Sequence, residues 1–361
     1  MTVRDQRLLA GVLLLAGLLP TMALILASAP EFALDFPEFY VAGRIASDRL
    51  YDPAAFGQLG RDLLPHGISY IPPYVRPAAF AWPLRPVMRL PYWSAFAVWS
   101  LAQVALLAAS LGLLATLFPV PSRLLAVLAS FFPAVFGIFF GQDPATALFV
   151  FCLGLYLLNR QCDVAAGIVL SLALYKFNLA LLVPLFLLLR KRYRALIGFV
   201  SAGAVLATIS VVSASPVQYV RRLLTLGDLP GFLPARMISL RSLMLTVGGD
   251  LGQVLMAVLL VIVVIAFAWF IRRADDSAAF SVLVLSSLLC SYHANGYDAT
   301  LALIPMTAGF ASSRRALNLA AVACFLLLGK PPLWLSPLLL LAMLAVFVWA
   351  EAAHDPREKR A

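Results

Sequence analysis

The sequence predicts an all-α, polytopic membrane protein, and three observations lead to that fold class. Of the 361 residues, 63% are hydrophobic and only 12% are charged, about half the charged share of a soluble domain. Apolar runs close to the length of a bilayer-spanning helix recur along the whole chain. These runs are continuous rather than alternating, which favours helices over a membrane β-barrel.

Taken in chain order, the runs predict about twelve spans in a single integral membrane domain, 1–361. The first, 8–29, resembles a signal peptide because Ala27-Ser28-Ala29 is typical of a cleavage site, but its length favours an uncleaved span with a cytoplasmic N-terminus. The remaining spans are predicted at 91–118, 122–140, 143–159, 164–176, 178–189, 194–213, 250–271, 277–291, 298–312, 315–329 and 332–350.

The distribution of basic residues fixes the predicted orientation. With the N-terminus inside, the short connections rich in Lys and Arg all fall on the cytoplasmic side, as the positive-inside rule expects. Their number also explains the net charge of +10 without a nucleic-acid partner. The predicted location is therefore the plasma (inner) membrane, with the lipid bilayer as the surrounding partner.

The stretch Val164 to Leu189 is long enough for one span, but its middle reads "LYKFN". Lys176 and Asn178 would then lie at a depth where polar groups are costly. One span would also place "RKRYR" outside. We therefore expect two short, broken helices that meet at an outer vertex, which is tolerated where irregular backbone lines a cavity.

With this threading, the irregular polar segments all fall on the outer face. They are the first outer loop, 30–90, with its interfacial helices, the second long outer loop, 214–249, and the short motifs "GQD", "LYKFN" and "SYHANGYD". Such clustering is typical of a membrane-embedded active site that opens outward. Gln142, Asp298 and Tyr40 of these segments are predicted substrate-binding residues.

The stretch "LDFPEFYVAGRIASDRLYDP" suggests two roles for Asp35, a helix cap and a general base. Apolar residues recur at helical spacing after Pro37, which predicts an amphipathic helix lying at the membrane interface. Asp35 would begin that helix with Glu38 three residues later, as in a capping box. A carboxylate at this place is also suited to act as a general base toward an acceptor hydroxyl. Asp52, by contrast, is expected only to form a turn before Pro53.

Two cations in apolar surroundings have competing interpretations. Lys176 either extends to the membrane surface or meets a lipid phosphate from the outer leaflet. Arg76, in the proline-rich stretch "YIPPYVRPAAFAWPLRP", either belongs to an interfacial anchor or lies near such a phosphate.

Other chemistries find little support in the sequence. His293 has no His or carboxylate companion at metal-ligand spacing, and the four cysteines lack CxxC spacing, so neither a metal site nor a cofactor is predicted. No nucleophile elbow and no phosphate-binding glycine loop occurs.

Five ordered motifs together resemble glycosyltransferase family 87, a group within the GT-C superfamily of membrane glycosyltransferases. They are "DFPEFYVAGRIASDRLYDP", "YIPPYVRPAAFAWPLRP", "FGQDPATALFVFCLGLYLL", "AGIVLSLALYKFNLALLVPLFLLLRKRYRALIG" and "SYHANGYDATLALIP". The resemblance implies a catalytic carboxylate at Asp35, and donor phosphate and sugar binding by Lys176 and His293. Arg76 departs from the apolar stretch of many relatives.

The resemblance further implies transfer of a hexose, with mannose as the expected sugar, from a polyprenyl-phosphate donor. The acceptor would be a hydroxyl of a glycolipid or glycan on the outer side, with inversion at the anomeric carbon. A transporter or flippase of lipid-linked sugars is the alternative, since it would also need charge inside the membrane. Internal repeats typical of many transporters are not visible in the sequence.

Overall fold

The computed structural model describes residues 11, 14, 15, 17–20, 22, 23, 35–68, 71–225, 237–330 and 332–352. Most of the predicted first span, 8–29, lies outside these residues, as does 226–236 of the second long loop. In the described part of the chain every regular element is a helix, as the sequence predicts.

The α-helices are α1 (Phe36–Ile45), α2 (Pro53–Leu63), α3 (Arg85–Met88), α4 (Tyr92–Leu117), α5 (Ser122–Ala129), α6 (Phe132–Phe139), α7 (Pro144–Asn159), α8 (Asp163–Ser171), α9 (Phe177–Ala180), α10 (Val183–Leu189), α11 (Tyr193–Ser213), α12 (Pro216–Leu224), α13 (Leu240–Val247), α14 (Gly249–Ile271), α15 (Asp276–Cys290), α16 (Leu303–Ala311), α17 (Arg315–Leu327) and α18 (Leu335–Ala352). Short 3₁₀ helices cover Ala78–Phe80, Trp82–Leu84, Leu172–Lys176 and Gly296–Ala302.

Among the described residues, four helical stretches are long and apolar enough to cross a membrane: α4, α8 with α9, α11 and α14. The pair α5 and α6, bent by 43°, would make a fifth. Apolar helices α7, α15, α17 and α18 are shorter. A helical membrane protein is thus confirmed, whereas the number of about twelve spans stays a prediction.

The stretch 163–189 folds back on itself. Arg192, just after α10, pairs with Asp163 at the start of α8 (3.3 Å) and donates to Gln161 (2.7 Å). Both ends of the stretch therefore lie at the same end of the bundle, which excludes a single crossing. The backbone leaves regular α geometry at Leu172–Lys176 and again between Ala180 and Val183, so the predicted pair of broken helices is confirmed, with Lys176 near the vertex.

Helix α1 begins where predicted but does not lie on a surface. Its residues from Phe36 to Gly43 are all buried, because α2, α3 and α4 enclose it. Phe36 packs edge-on against Phe96 of α4, and Phe39 packs against Trp99. The prediction of an interfacial helix with a solvated charged face is wrong for Glu38, which is only 5% exposed. Its carboxylate is buried because a buried arginine lies opposite.

Candidate active site

A cavity of about 200 Å³ lies where α1, the proline-rich stretch, the vertex at Lys176 and the loop 291–298 meet. Glu38, Arg76, Lys176, His293 and Asp298 are among the residues that line it. The sequence places these side chains in four separate segments. The fold therefore unites the polar motifs of the predicted outer face at a single site.

Asp35 is placed beside this site by a close approach to the "GQD" motif. Its backbone N–H donates to the carbonyl of Phe140 (3.0 Å). Gly141 has φ +82, and a Cβ there would lie 2.5 Å from the Cβ of Phe36, so a side chain at this position would push the two segments apart. Asp35 is half-buried, and its carboxylate accepts a hydrogen bond from Gln142.

The capping-box hypothesis for Asp35 is wrong. Its side chain makes no cap hydrogen bond, and its backbone is in the helical region rather than the extended geometry typical of a cap. The carboxylate is turned instead toward Gln142 of the neighbouring motif. Asp52, expected only to form a turn, instead caps α2, where its Oδ1 accepts from the N–H groups of Ala54 and Ala55 (2.9 and 3.4 Å).

Arg76 is held on three sides. One guanidinium nitrogen pairs with Glu38, and the other lies 3.1 Å from Asp143 Oδ2 and 3.3 Å from Gln142 Oε1. The guanidinium also stacks over Phe39, and the Arg76 carbonyl accepts from the hydroxyl of Tyr51 (2.8 Å). Arg76 is 6% exposed; it is a buried part of the site and not an interfacial anchor.

Lys176 is bound between two carboxylates. Its Nζ lies 2.8 Å from Asp143 Oδ1 and 2.7 Å from Asp298 Oδ1. The interpretation that Lys176 extends to the membrane surface is wrong, because these ion pairs keep its ammonium at the cavity wall. Asp143 therefore bridges Lys176 and Arg76 and joins the two cations into one network.

The loop 291–298 completes the wall. Asp298 Oδ2 accepts from the N–H of Asn295 (2.8 Å), which fixes the carboxylate that pairs with Lys176. Asn178 donates to Ser291 Oγ (2.7 Å) and to the carbonyl of His293, which ties this loop to the vertex. Burial lowers the pKa of His293 to about 4, although the nearby Asp298 opposes the shift. His293 is thus neutral at pH 7 and offers hydrogen bonds rather than a positive charge.

Tyr40 does not join this site. Its hydroxyl donates to the carbonyl of Leu90 (2.9 Å), and its ring packs against Phe36 and Tyr92. It lies on the side of α1 that faces α3 and α4, away from the cavity lining. A substrate-binding role for Tyr40 therefore has no support from its position.

Two carboxylates of the site were missed by the sequence reasoning, Glu38 and Asp143. Spacing alone gives Glu38 a place in a capping box on an amphipathic helix, and it gives Asp143 no role beyond its position in "GQD". A signal was present for Asp143, because it is an acid at the start of an apolar run and such residues mark functional sites. For Glu38 the only available signal was the unexplained Arg76, whose burial requires an anion.

The site has more carboxylates than cations. Among the described residues, Asp35, Glu38, Asp143 and Asp298 face the cations Arg76 and Lys176, which gives this group of six side chains two negative charges in excess when all are ionised. Burial raises the pKa of Asp35, with Gln142 and Arg76 opposing the shift, and raises the pKa of Glu38 to about 7 against the pull of Arg76. Glu38 can therefore exchange a proton near pH 7, and Asp35 is more basic than an ordinary aspartate.

In chemical terms, the arrangement offers a basic carboxylate beside two buried cations. Within the described residues, Asp35 is held by an amide and not by an ion pair, so it keeps its basicity. No group of three His, Cys, Asp or Glu residues in that part of the chain is arranged to hold a metal ion.

The comparison with known families identifies the family to which this chain belongs. The model described as glycosyltransferase family 87 matches residues 74–291, more than half of the chain. The match contains Arg76, Gln142, Asp143 and Lys176, while Asp35, His293 and Asp298 lie outside it. No curated protein and no solved structure is significantly similar to the chain. The extent of the family match is sufficient to conclude that the chain belongs to glycosyltransferase family 87.

Proposed function

We propose that this membrane glycosyltransferase moves a hexose, mannose in the first instance, from a polyprenyl-phosphate donor to an acceptor hydroxyl of a glycolipid or glycan. The observation that carries the proposal is the joining of Asp35 to Gln142 of the "GQD" motif, next to the Arg76 and Lys176 network. A base and fixed positive charge thus lie side by side, as group transfer from a phosphate requires. A glycosyltransferase domain favours this enzyme over a transporter of lipid-linked sugars.

In the proposed reaction the acceptor oxygen attacks the anomeric carbon as the bond from that carbon to the phosphate oxygen breaks. Asp35 takes the acceptor's proton, and the electron pair of the broken bond stays on the polyprenyl phosphate. The configuration at the anomeric carbon is inverted because a single displacement occurs. This proton transfer would contribute about 10² to 10⁴-fold to the rate.

Lys176 and Arg76 would stabilise the charge that develops on the leaving phosphate. Their pairing with fixed carboxylates keeps both cations in place before substrate binds, so no reorganisation is needed during the reaction. His293, which is neutral, and Asp298 would position the donor by hydrogen bonds. The apolar part of the cavity wall, Phe177, Leu181 and Leu223, is suited to the first isoprene units of a lipid chain.

We place the site on the outer side of the plasma (inner) membrane. The support is the separation of the cavity from the basic residues Arg190 and Arg192, which lie at the opposite end of the α8–α10 hairpin. Single cysteines at Asp62 and Arg192, in a cysteine-free background, test this placement. An impermeant thiol reagent added to intact cells should label the first and spare the second; the reverse pattern would place the site inside.

The transfer itself is tested with purified protein in nanodiscs and a set of polyprenyl-phosphate sugars. Mass spectrometry of the products identifies the sugar that is moved and the acceptor that receives it. Transfer from a polyprenyl-phosphate hexose supports the proposal. Transfer from nucleotide sugars alone would refute the proposed donor class.

A further inference from the structure

The acidic excess of the site raises a problem for an anionic donor. A sugar phosphodiester brings another negative charge to a site where, among the described residues, the carboxylates of Asp35, Glu38, Asp143 and Asp298 outnumber the cations Arg76 and Lys176. Like charges in a buried site repel strongly. The donor can bind well only if one of these carboxylates gives up its charge or leaves its cation.

Glu38 differs from the other carboxylates in its attachments. Asp143 is shared between Arg76 and Lys176, and Asp298 is fixed both by Lys176 and by the N–H of Asn295. Glu38 has Arg76 as its ion-pair partner in the described part of the chain, through one guanidinium nitrogen. Both Glu38 and Arg76 line the cavity, so a ligand bound there would contact this ion pair, while the other guanidinium nitrogen stays with Asp143 and Gln142.

We propose that Glu38 is a positioning residue of the transfer reaction, which holds Arg76 in the empty site and releases one guanidinium nitrogen to the donor phosphate by taking up a proton. This inference rests on the proposed function. In the step, the Glu38 carboxylate gains one proton from solvent and becomes a neutral carboxyl. The Arg76 nitrogen exchanges its Glu38 hydrogen bond for one to a phosphate oxygen, while Asp143 keeps the guanidinium in place.

The surroundings of Glu38 support proton uptake at this position. It faces Asp35, Arg76, Asp143, Lys176 and Tyr74, and it shares the cavity with His293 and Asp298. Burial already raises the pKa of Glu38 to about 7, and a bound anion raises that pKa further. Below pH 7 Glu38 is protonated in the free protein, so donor binding needs no proton. Above pH 7 each binding event takes one up.

The expected consequence is a donor affinity that falls with rising pH only above pH 7. It should be nearly constant between pH 6 and 7, and then weaken by up to about tenfold per pH unit above 7, because a single proton is linked to binding. Glu38→Gln removes the titrating group at constant size. This variant should bind the donor at pH 8.5 about tenfold or more tightly than the wild type, with no pH slope.

The experiment measures binding of a short-chain polyprenyl-phosphate mannose in nanodiscs, without acceptor, from pH 6 to 9. A phosphodiester is the right probe because its own charge stays constant over this range. Calorimetry of the wild type at pH 8.5, in two buffers of different ionisation enthalpy, should report uptake of about one proton. Asp35→Asn is the matched control: it removes the other carboxyl with a raised pKa and should keep the wild-type slope.

Each result decides the matter. A wild-type slope and proton uptake that vanish in Glu38→Gln but persist in Asp35→Asn support the inference. A slope that is absent in the wild type, or unchanged in Glu38→Gln, would show that Glu38 is merely structural and would leave the proposed function untouched. Failure of the wild type to bind the probe at any pH would instead overturn the proposed function, and this inference with it. If Glu38→Gln does not fold, the pH slope and the proton uptake of the wild type, compared with those of Asp35→Asn, still test the inference.

Discussion

The described part of the chain contains two networks of ion pairs, one at each end of the α8–α10 hairpin, and they differ chiefly in burial. The active-site network joins Glu38, Arg76, Asp143, Lys176 and Asp298, whose side chains are 3 to 10% exposed. The second network, here named the basic clasp, consists of Asp163, Arg190, Arg192 and Asp276, whose side chains are 18 to 24% exposed. The same chemical groups thus occur in two different dielectric environments.

This difference in burial indicates a different role for each network. In the basic clasp, Arg190 also donates to the carbonyls of Ile271 (2.9 Å) and Ala274 (2.7 Å) and so closes the end of α14. Partly exposed pairs of this kind cost little to form and add little stability. The active-site network pays a large desolvation penalty for pairs that apolar residues could replace. We infer that a buried, acid-rich network serves chemistry rather than stability, and burial raises the pKa of its member Glu38 to about 7.

The largest effect is expected from Asp35→Asn. If Asp35 is the general base, this variant loses about 10² to 10⁴-fold in kcat, because an amide cannot accept the acceptor's proton. Since the side chain does not cap α1, Asp35→Asn and Asp35→Ala should both keep wild-type thermal stability. In the wild type, kcat should rise with pH as Asp35, whose pKa burial raises, loses its proton.

Sugar transfer by purified protein, with donor and acceptor both saturating, measures this effect. Circular dichroism on heating checks the fold of each variant. Near-wild-type turnover by a stable Asp35→Asn protein would remove the catalytic role of Asp35 and leave the family membership intact.

Helix positions and the broken hairpin were predictable because apolar runs and polar interruptions are local features of the sequence. The position of Asp35 beside Gln142 was not, since it depends on Gly141 allowing two distant segments to touch. The burial of α1 was also unpredictable, because amphipathic spacing does not reveal that α4 and a buried Arg76 cover both faces. Ion pairs between segments far apart in the chain are set by packing, which periodicity does not encode.

A smaller effect is expected from Lys176→Gln. Removing one partner of a buried network costs about 3 to 5 kcal/mol of stability, and losing fixed charge at the leaving phosphate lowers kcat about 10² to 10³-fold. Thermal unfolding and single-turnover transfer with a polyprenyl-phosphate sugar measure the two quantities. Lys176→Arg restores the positive charge and should recover part of the lost stability and part of the lost kcat. A fully active, stable Lys176→Gln protein would show that the active-site network resembles the basic clasp.

The smallest effect is expected from Arg192→Gln in the basic clasp. Arg192 pairs with Asp163 and Asp276 (2.6 Å), but Asp276 keeps Arg190 as a partner when Arg192 is lost. We therefore expect a cost of about 0 to 1 kcal/mol and unchanged transfer, since the charges left behind are reached by water. A double-mutant cycle with Asp163→Asn, read by thermal unfolding, should give a coupling energy below about 1 kcal/mol. A coupling of several kcal/mol, or a loss of transfer like that of Lys176→Gln, would mean that the two ends of the hairpin are energetically one unit and that burial does not separate their roles.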